Sequence, residues 1–133
     1  FFTLREGARH MVARAEAGEP GGSLVACGSL SLCQGLPGRQ NYAASKAGVN
    51  SLMRSLAIEL ASSGVRVNVV APGAVATDMI AKERWDEIGS AVPLKRIGTP
   101  VDIARAARFL LDPEAAGYIT GHVLNVNGGT LME

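Results

Sequence analysis

Apolar residues along the chain follow two spacings, one typical of helices and one typical of buried strands. Over residues 1–17 they recur every third or fourth position with charged residues between them, which predicts an amphipathic helix. Short apolar runs at 23–28 and 65–71 are rich in β-branched or small residues, and they predict strands buried on both faces of a parallel sheet. A similar run at 122–127 predicts a last strand.

The longest helical pattern lies between the first two of these strands. Its apolar stripe repeats at helical spacing over residues 42–62, with Asn41 as the candidate N-cap and Gly64 as the stop. The loop before it, residues 30–40, is rich in glycine and proline. A helix of this length between two strands suits a parallel crossover.

The segment between the second and third strands contains further helical signals. Residues 74–94 are weakly amphipathic and predict one or two short mobile helices. Thr99, Pro100 and Asp102 give an N-cap, a proline at the first helical position and an acid in the first turn, so a helix is expected from Pro100 to Leu111.

This order of elements predicts an α/β fold that corresponds to half of a doubly wound parallel sheet, in one domain over residues 1–133. Ligands of such sheets bind beyond the carboxyl ends of the strands. Ser29, Tyr42 and the Pro72-Gly73 pair all follow strands and are expected at those ends.

Composition and charge narrow the function classes. The formal net charge is +1 and no basic block stands out, so neither nucleic acid nor a membrane is an expected partner. No apolar run approaches the roughly 18 residues that cross a bilayer, and the first residues do not resemble a signal peptide, so we expect a cytoplasmic protein. Cys27 and Cys33 lack metal-ligand spacing, and we interpret both as reduced thiols with no metal site.

Tyr42 and Lys46 are the strongest candidates for chemistry. Four residues apart on a helix, they lie on one face, where an ammonium favours the ionised form of a neighbouring phenol. Tyr42 is therefore a candidate acid or base near neutral pH. Ser29, thirteen residues before Tyr42, is a hydroxyl donor able to hold a substrate carbonyl.

Other interpretations of these residues remain open. A YxxxK pattern alone occurs by chance on ordinary helices, Ser31 competes with Ser29, Thr77 is also a plausible N-cap, and Pro72-Gly73 is also a plausible turn. His10 and His122 have no partner at metal or triad spacing, and no function is assigned to them.

The chain resembles the short-chain dehydrogenase/reductase family, whose mark is a Ser, then YxxxK, then a strand ending in Pro-Gly. The corresponding residues are Ser29, YAASK at 42–46 and NVVAPGAVATDM at 68–79. VPLKRIGTPVDIA at 92–104 and GYITGHVLNVNGG at 117–129 also resemble the family. The resemblance covers nearly the whole chain and looks nearest to the 3-oxoacyl-acyl-carrier-protein reductase type.

The resemblance implies a Rossmann-like fold and an NAD(P)-dependent oxidoreductase that interconverts a carbonyl and a secondary alcohol. Tyr42 would be the general acid, Ser29 would hold the substrate oxygen, and Lys46 would also bind the nicotinamide ribose. The implied cofactor-binding residues are Tyr42, Lys46, Pro72, Gly73, Val75 and Thr77. Residues 74–94 would be the substrate lid, with Met79, Ile80 and Trp85 in an apolar pocket or against a neighbouring subunit.

The sequence departs from the family at its start. The family's N-terminal strands, its glycine-rich pyrophosphate turn and an Asn of its proton relay have no counterpart here, so we expect only the C-terminal, catalytic portion of the domain. The residue that selects NAD or NADP is missing with them. An incomplete sequence of an intact enzyme and a truncated product both remain possible explanations.

Such a portion is expected to be inactive alone. The alternative to an enzyme is a catalytically silent fragment or an oligomerisation module of the same fold, although a scaffold has no need of Ser29, Tyr42 and Lys46 together. Among enzymes, an acyl-carrier-protein thioester reductase competes with a dehydrogenase of sugars, steroids or small alcohols. The resemblance also implies a homodimer or tetramer built through helices 1–17 and 42–62.

Overall fold

The fold is built on three parallel strands. The computed structural model describes residues 1–33 and 37–132. Strands β1 (Gly22–Cys27), β2 (Val65–Pro72) and β3 (Val123–Val126) are paired in that order, with β2 in the centre. In this register Val25 lies opposite Asn68, and Val70 lies opposite Leu124. Each predicted strand is present within one residue of its expected bounds.

Two helices cover one face of this sheet. Helix α1 spans Phe2–Glu16 and α2 spans Gln40–Leu60, and both pack on the side chains that point to one face of β2. Because side chains alternate along a strand, every second residue of β2 contributes to this core. The buried core residues are Ala8, Ala26, Met53, Ala57, Leu60, Val65, Val67 and Val69.

The start of α2 corrects a prediction. Asn41 was the expected N-cap, but the helix begins at Gln40 after Arg39, and Asn41 lies inside the first turn. The Asn41 Oδ1 accepts a hydrogen bond from the Tyr42 N–H at 2.9 Å, so its side chain still satisfies a backbone donor of that turn. Of the predicted loop at 30–40, residues 30–32 form a 3-10 turn and residues 34–36 lie outside the described residues.

Gly64 ends the second helix as predicted. After a single 3-10 turn at Ala61–Ser63, Gly64 adopts the left-handed conformation with φ of 65°. This conformation is unfavourable for residues that carry a Cβ atom. It turns the chain directly into β2.

The remaining helices follow β2. Residues 74–94 contain a 3-10 turn at Lys82–Arg84 continued by α3 at Trp85–Ala91, and α4 spans Pro100–Leu111 as predicted. A short helix α5, Pro113–Ala116, was not predicted. Asp112 caps it by accepting hydrogen bonds from two backbone N–H groups, of Glu114 and Ala115.

Helix α4 lies against the other face of the sheet. The side chains of Arg66 and Asn68 alternate with the apolar core residues of β2 and point to this face. The Arg66 guanidinium donates hydrogen bonds to the carbonyls of Leu110 (2.8 Å) and Leu111 (3.3 Å), which end α4. Arg66 therefore satisfies carbonyl groups that a helix end leaves without partners.

Asn68 is fully buried in a strand predicted to be apolar. Its Nδ2 donates to the Ile119 carbonyl at 2.9 Å, and its Oδ1 accepts from the His122 N–H at 3.0 Å. These bonds fix the segment that leads into β3. Cys27 and Cys33 are not bridged by a disulfide. In the described part of the chain, no helix is long and apolar enough to cross a membrane, and no cluster of side chains suits a metal ion.

Candidate active site

The predicted site residues meet at the carboxyl ends of β1 and β2. Ser29 follows β1, Pro72 and Gly73 end β2, and Tyr42 and Lys46 come from the first two turns of α2. Together they line a cavity of about 640 Å³. Its walls include every predicted site residue, namely Ser29, Tyr42, Lys46, Pro72, Gly73, Val75 and Thr77.

Lys46 is held beside Tyr42 by the end of β1. The Lys46 Nζ donates a hydrogen bond to the Cys27 carbonyl at 2.9 Å and lies 5.8 Å from the centre of the Tyr42 ring. An ammonium has three protons to donate, so this contact leaves Lys46 able to bind another acceptor in the cavity. The structure thus confirms that the ammonium and the phenol share one helix face.

Ser29 is oriented by its neighbour Ser31. The Ser29 Oγ accepts a hydrogen bond from the Ser31 N–H at 3.2 Å and another from the Ser31 Oγ at 2.8 Å, and both serines are buried. A hydroxyl oxygen accepts about two hydrogen bonds and donates one. These contacts orient the Ser29 side chain, which lies on the wall of this cavity, whereas Ser31 does not line it.

Gly73 is required by a close approach of two loops. A Cβ atom at this position would lie 2.7 Å from the Asn127 Cβ, and the Gly73 N–H donates to the Val126 carbonyl at 3.1 Å. The Pro72-Gly73 turn is therefore packed against the end of β3 while it also forms part of the cavity wall. The turn and this part of the cavity wall are therefore formed by the same two residues.

Residues after β2 complete the wall. Thr77 caps no helix in the described part of the chain, and its Oγ1 is 3.5 Å from the Val75 carbonyl. Met79 and Ile80 line the cavity as predicted, whereas Trp85 lies outside it. The Trp85 indole instead donates to the Ile80 carbonyl at 2.9 Å and holds the segment in place.

A second cavity, of about 390 Å³, adjoins the first. Ser29 and Tyr42 line both cavities. The second cavity also contains Arg39, from the start of α2, and Arg84, from the segment after β2. Neither arginine nor the contact of Ser31 with Ser29 was predicted, because none of these residues belongs to a recognisable motif.

Comparison with known proteins identifies the family of this chain. A family model described as Enoyl-(Acyl carrier protein) reductase matches residues 2–130. The chain is 49% identical to acetoacetyl-CoA reductase of Synechocystis sp. over 110 residues, which are 80% of this chain and 46% of that protein. It is 50% identical to a 3-oxoacyl-[acyl-carrier-protein] reductase of Vibrio cholerae over 115 residues, covering 84% of this chain and 46% of that protein.

A solved structure gives the same result for the fold. The structure of ElxO with NADP bound superposes with a TM-score of 0.84 at 32% identity, covering 96% of this chain and 52% of that one. The chain thus spans about half the length of the relatives that it matches. Motifs, cavity and comparisons agree, and this chain belongs to the short-chain dehydrogenase/reductase family.

Proposed function

We propose that the protein is an NAD(P)-dependent oxidoreductase that interconverts a carbonyl compound and a secondary alcohol. The observation that carries the proposal is the convergence of Ser29, Tyr42 and Lys46 on one cavity. In this proposal Ser29, oriented by Ser31, donates a hydrogen bond to the substrate oxygen, and the Tyr42 hydroxyl supplies a proton to that oxygen in reduction. Lys46 acts as the cation beside the phenol.

The cavity also suits a nicotinamide cofactor. Its volume lies within the range of about 300–1,000 Å³ that is typical of small-molecule sites. The donors it presents are of the kinds that a ribose and a carboxamide need: the Lys46 ammonium, the Thr77 hydroxyl and the backbone near Val75, beside the flat, apolar Pro72. When bound, the cofactor supplies or accepts the hydride, while these residues hold it in position.

The named relatives support the same reaction type. Those compared above are reductases by name, of acetoacetyl-CoA and of 3-oxoacyl groups on acyl carrier protein. ElxO is described with NADP bound. A silent module of the same fold is the competing proposal, and it is disfavoured by a buried, oriented Ser29 that a scaffold would not need.

Replacement of Tyr42 tests the proposal. In the protein at its full natural length, Tyr42→Phe should lower kcat by roughly a hundredfold or more, because it removes the acid while keeping the ring. Binding of NADH or NADPH, followed by fluorescence, should change little. Tyr118→Phe is the matched control, since Tyr118 is fully exposed and lines neither cavity. Equal turnover of both variants would refute the assignment.

We also propose that the protein is a homo-oligomer located in the cytoplasm. Exposed side chains on the outer face of α2 are small at Ala44, Ala47, Gly48 and Ser51, so another helix can approach closely. A groove between α1 and α2 is lined by Leu4, Ala8, Val12, Leu52 and Leu56. A reducing compartment suits two cysteines that are not bridged to each other.

A further inference from the structure

Two arginines line the second cavity, whereas Lys46 is the one charged residue among those described that lines the first. The second cavity's only charged lining residues among those described are Arg39 and Arg84, and no carboxylate lines it. The sequence agrees, because no Asp or Glu occurs between Glu19 and Glu59. A cavity that opens on Ser29 and Tyr42 therefore carries positive charge with nothing on its own wall to neutralise it.

Arg39 is the arginine available to a ligand. Among the described residues no hydrogen bond or ion pair engages its guanidinium, whereas the Arg84 Nε lies 3.3 Å from the Glu87 carboxylate. That pair is largely exposed, so Arg84 remains able to exchange partners. Each guanidinium has donors that match the geometry of a carboxylate or phosphate.

The position of Arg39 fixes where an anion would sit. Arg39 immediately precedes α2, Tyr42 is three residues later, and both line the second cavity. A substrate whose carbonyl reaches the Tyr42 hydroxyl would place groups a few bonds away beside the guanidinium. The first cavity, with Lys46, Pro72 and Thr77, is then left for the cofactor.

We propose that Arg39, assisted by Arg84, selects carbonyl substrates that carry an anionic group, a carboxylate or a phosphate, on the side of Tyr42 away from the cofactor. This inference rests on the proposed function and adds the charge of its substrate. Cations at a cavity mouth raise both the affinity for an anionic ligand and its rate of encounter.

Matched ketones test this selectivity. Acetoacetate and its methyl ester share one keto group and differ in charge, and dihydroxyacetone phosphate and dihydroxyacetone share one keto group and differ in a nearby phosphate. Wild type should prefer the anionic member of at least one pair. Arg39→Gln should reduce that preference, measured as the ratio of kcat/KM values, by roughly tenfold, as expected for loss of one charged hydrogen bond.

Arg54→Gln is the control for charge alone. Arg54 lies on the same helix, is exposed and lines neither cavity, so this variant should keep the preference. If the preference within the acid and ester pair alone depends on Arg39, the selected anion is a carboxylate. If the preference within the dihydroxyacetone pair alone depends on Arg39, the selected anion is a phosphate. Equal ratios in wild type and Arg39→Gln for both pairs would overturn the proposal.

A binding measurement separates this proposal from the proposed function. Calorimetric titration of wild type and Arg39→Gln with the same four compounds requires no turnover, and the anionic members should bind wild type more tightly. Equal binding of charged and neutral members, including no binding of either, would overturn the charge selection. If reduction requires Tyr42 but is equally fast for charged and neutral substrates, the proposed oxidoreductase activity is supported and the charge selection is refuted. If anionic compounds bind more tightly but none is reduced, only the proposed oxidoreductase activity is refuted.

Discussion

At the scale of single residues, Ser31 decides which way the Ser29 hydroxyl points. Two hydrogen bonds from Ser31 occupy the acceptor positions of the Ser29 oxygen. A substrate carbonyl can only accept a hydrogen bond, so a Ser29 whose proton is directed elsewhere would not help it. We therefore predict that Ser31, which also lines the second cavity, acts as a positioning residue through Ser29.

Ser31→Ala should lower kcat about fivefold, because one hydrogen bond of about 1 kcal/mol no longer orients Ser29. Binding of the cofactor should stay the same, and Ser31→Thr should restore most of the loss by returning the hydroxyl. If Ser31 had only a structural role, Ser31→Ala would instead lower the stability of the protein, which thermal unfolding of each variant measures. Ser62→Ala is the control, since Ser62 is exposed and lies far along the chain from the site.

Residue types and spacing predicted that Ser29, Tyr42, Lys46 and the Pro72-Gly73 turn lie close together. This was possible because the spacing of residues on helices and strands follows directly from their separation in sequence. Ser31 and Arg39 were not predictable in the same way. Their importance depends on one side-chain direction and on which loop faces the cavity, and neither follows from a repeat or motif.

At the scale of elements, side-chain capping explains where α4 begins. Thr99 accepts a hydrogen bond from the Asp102 N–H, and the Asp102 carboxylate accepts one from the Thr99 N–H at 2.8 Å. A hydrogen bond from Arg96, with further ones from Thr99, holds the pKa of Asp102 well below its usual range. The start of α4 was predictable because this reciprocal pattern is local in sequence.

Thr99→Ala should lower the free energy of unfolding by about 1 kcal/mol, the usual cost of losing an N-cap. Because the folded-state pKa of Asp102 is depressed, its contribution is complete above the ordinary carboxyl range and is lost as the pH falls through and below that range. Asp102→Asn should therefore be less stable than wild type at neutral pH, with a gap that narrows in acid.

Thermal unfolding between neutral and acidic pH measures both effects, and Thr3→Ala provides the control on an exposed helix position. A gap between Asp102→Asn and wild type that stays constant with pH would contradict the role of the ionised carboxylate. The same local logic failed at two other places. Asn41 satisfied the pattern of an N-cap but lies two residues beyond the actual N-cap, Arg39. Asp112-Pro113 was expected only to end α4, but it also begins α5.

Long-range polar contacts could not be predicted from the sequence for another reason. Asn68 interrupts an apolar strand, and nothing adjacent in sequence indicates that its partners are the Ile119 carbonyl and the His122 N–H. Such bonds satisfy buried groups across more than fifty positions of chain. They are defined by the packing of β2 on the loop before β3.

At the scale of the whole molecule, the outer faces of α1 and α2 remain uncovered. Gly48 has open space where a Cβ would stand, and Ile58, further along the exposed side of α2, is 83% exposed. Exposed apolar and small side chains on one helix face are typical of surfaces that another helix covers. These features support the proposed homo-oligomer.

Ile58→Glu should weaken self-association by placing a charge on the face of α2 that another copy would cover, and its symmetry mate would double the effect in a twofold dimer. Val101→Glu is the matched control, because Val101 is also exposed but lies on α4, against the other face of the sheet. Light scattering after size exclusion should show a smaller mass for Ile58→Glu than for wild type at equal concentration, and an unchanged mass for Val101→Glu. If wild type were a monomer, or if both variants kept the wild-type mass, the helices α1 and α2 would not form the interface, and their apolar groove would need a different explanation.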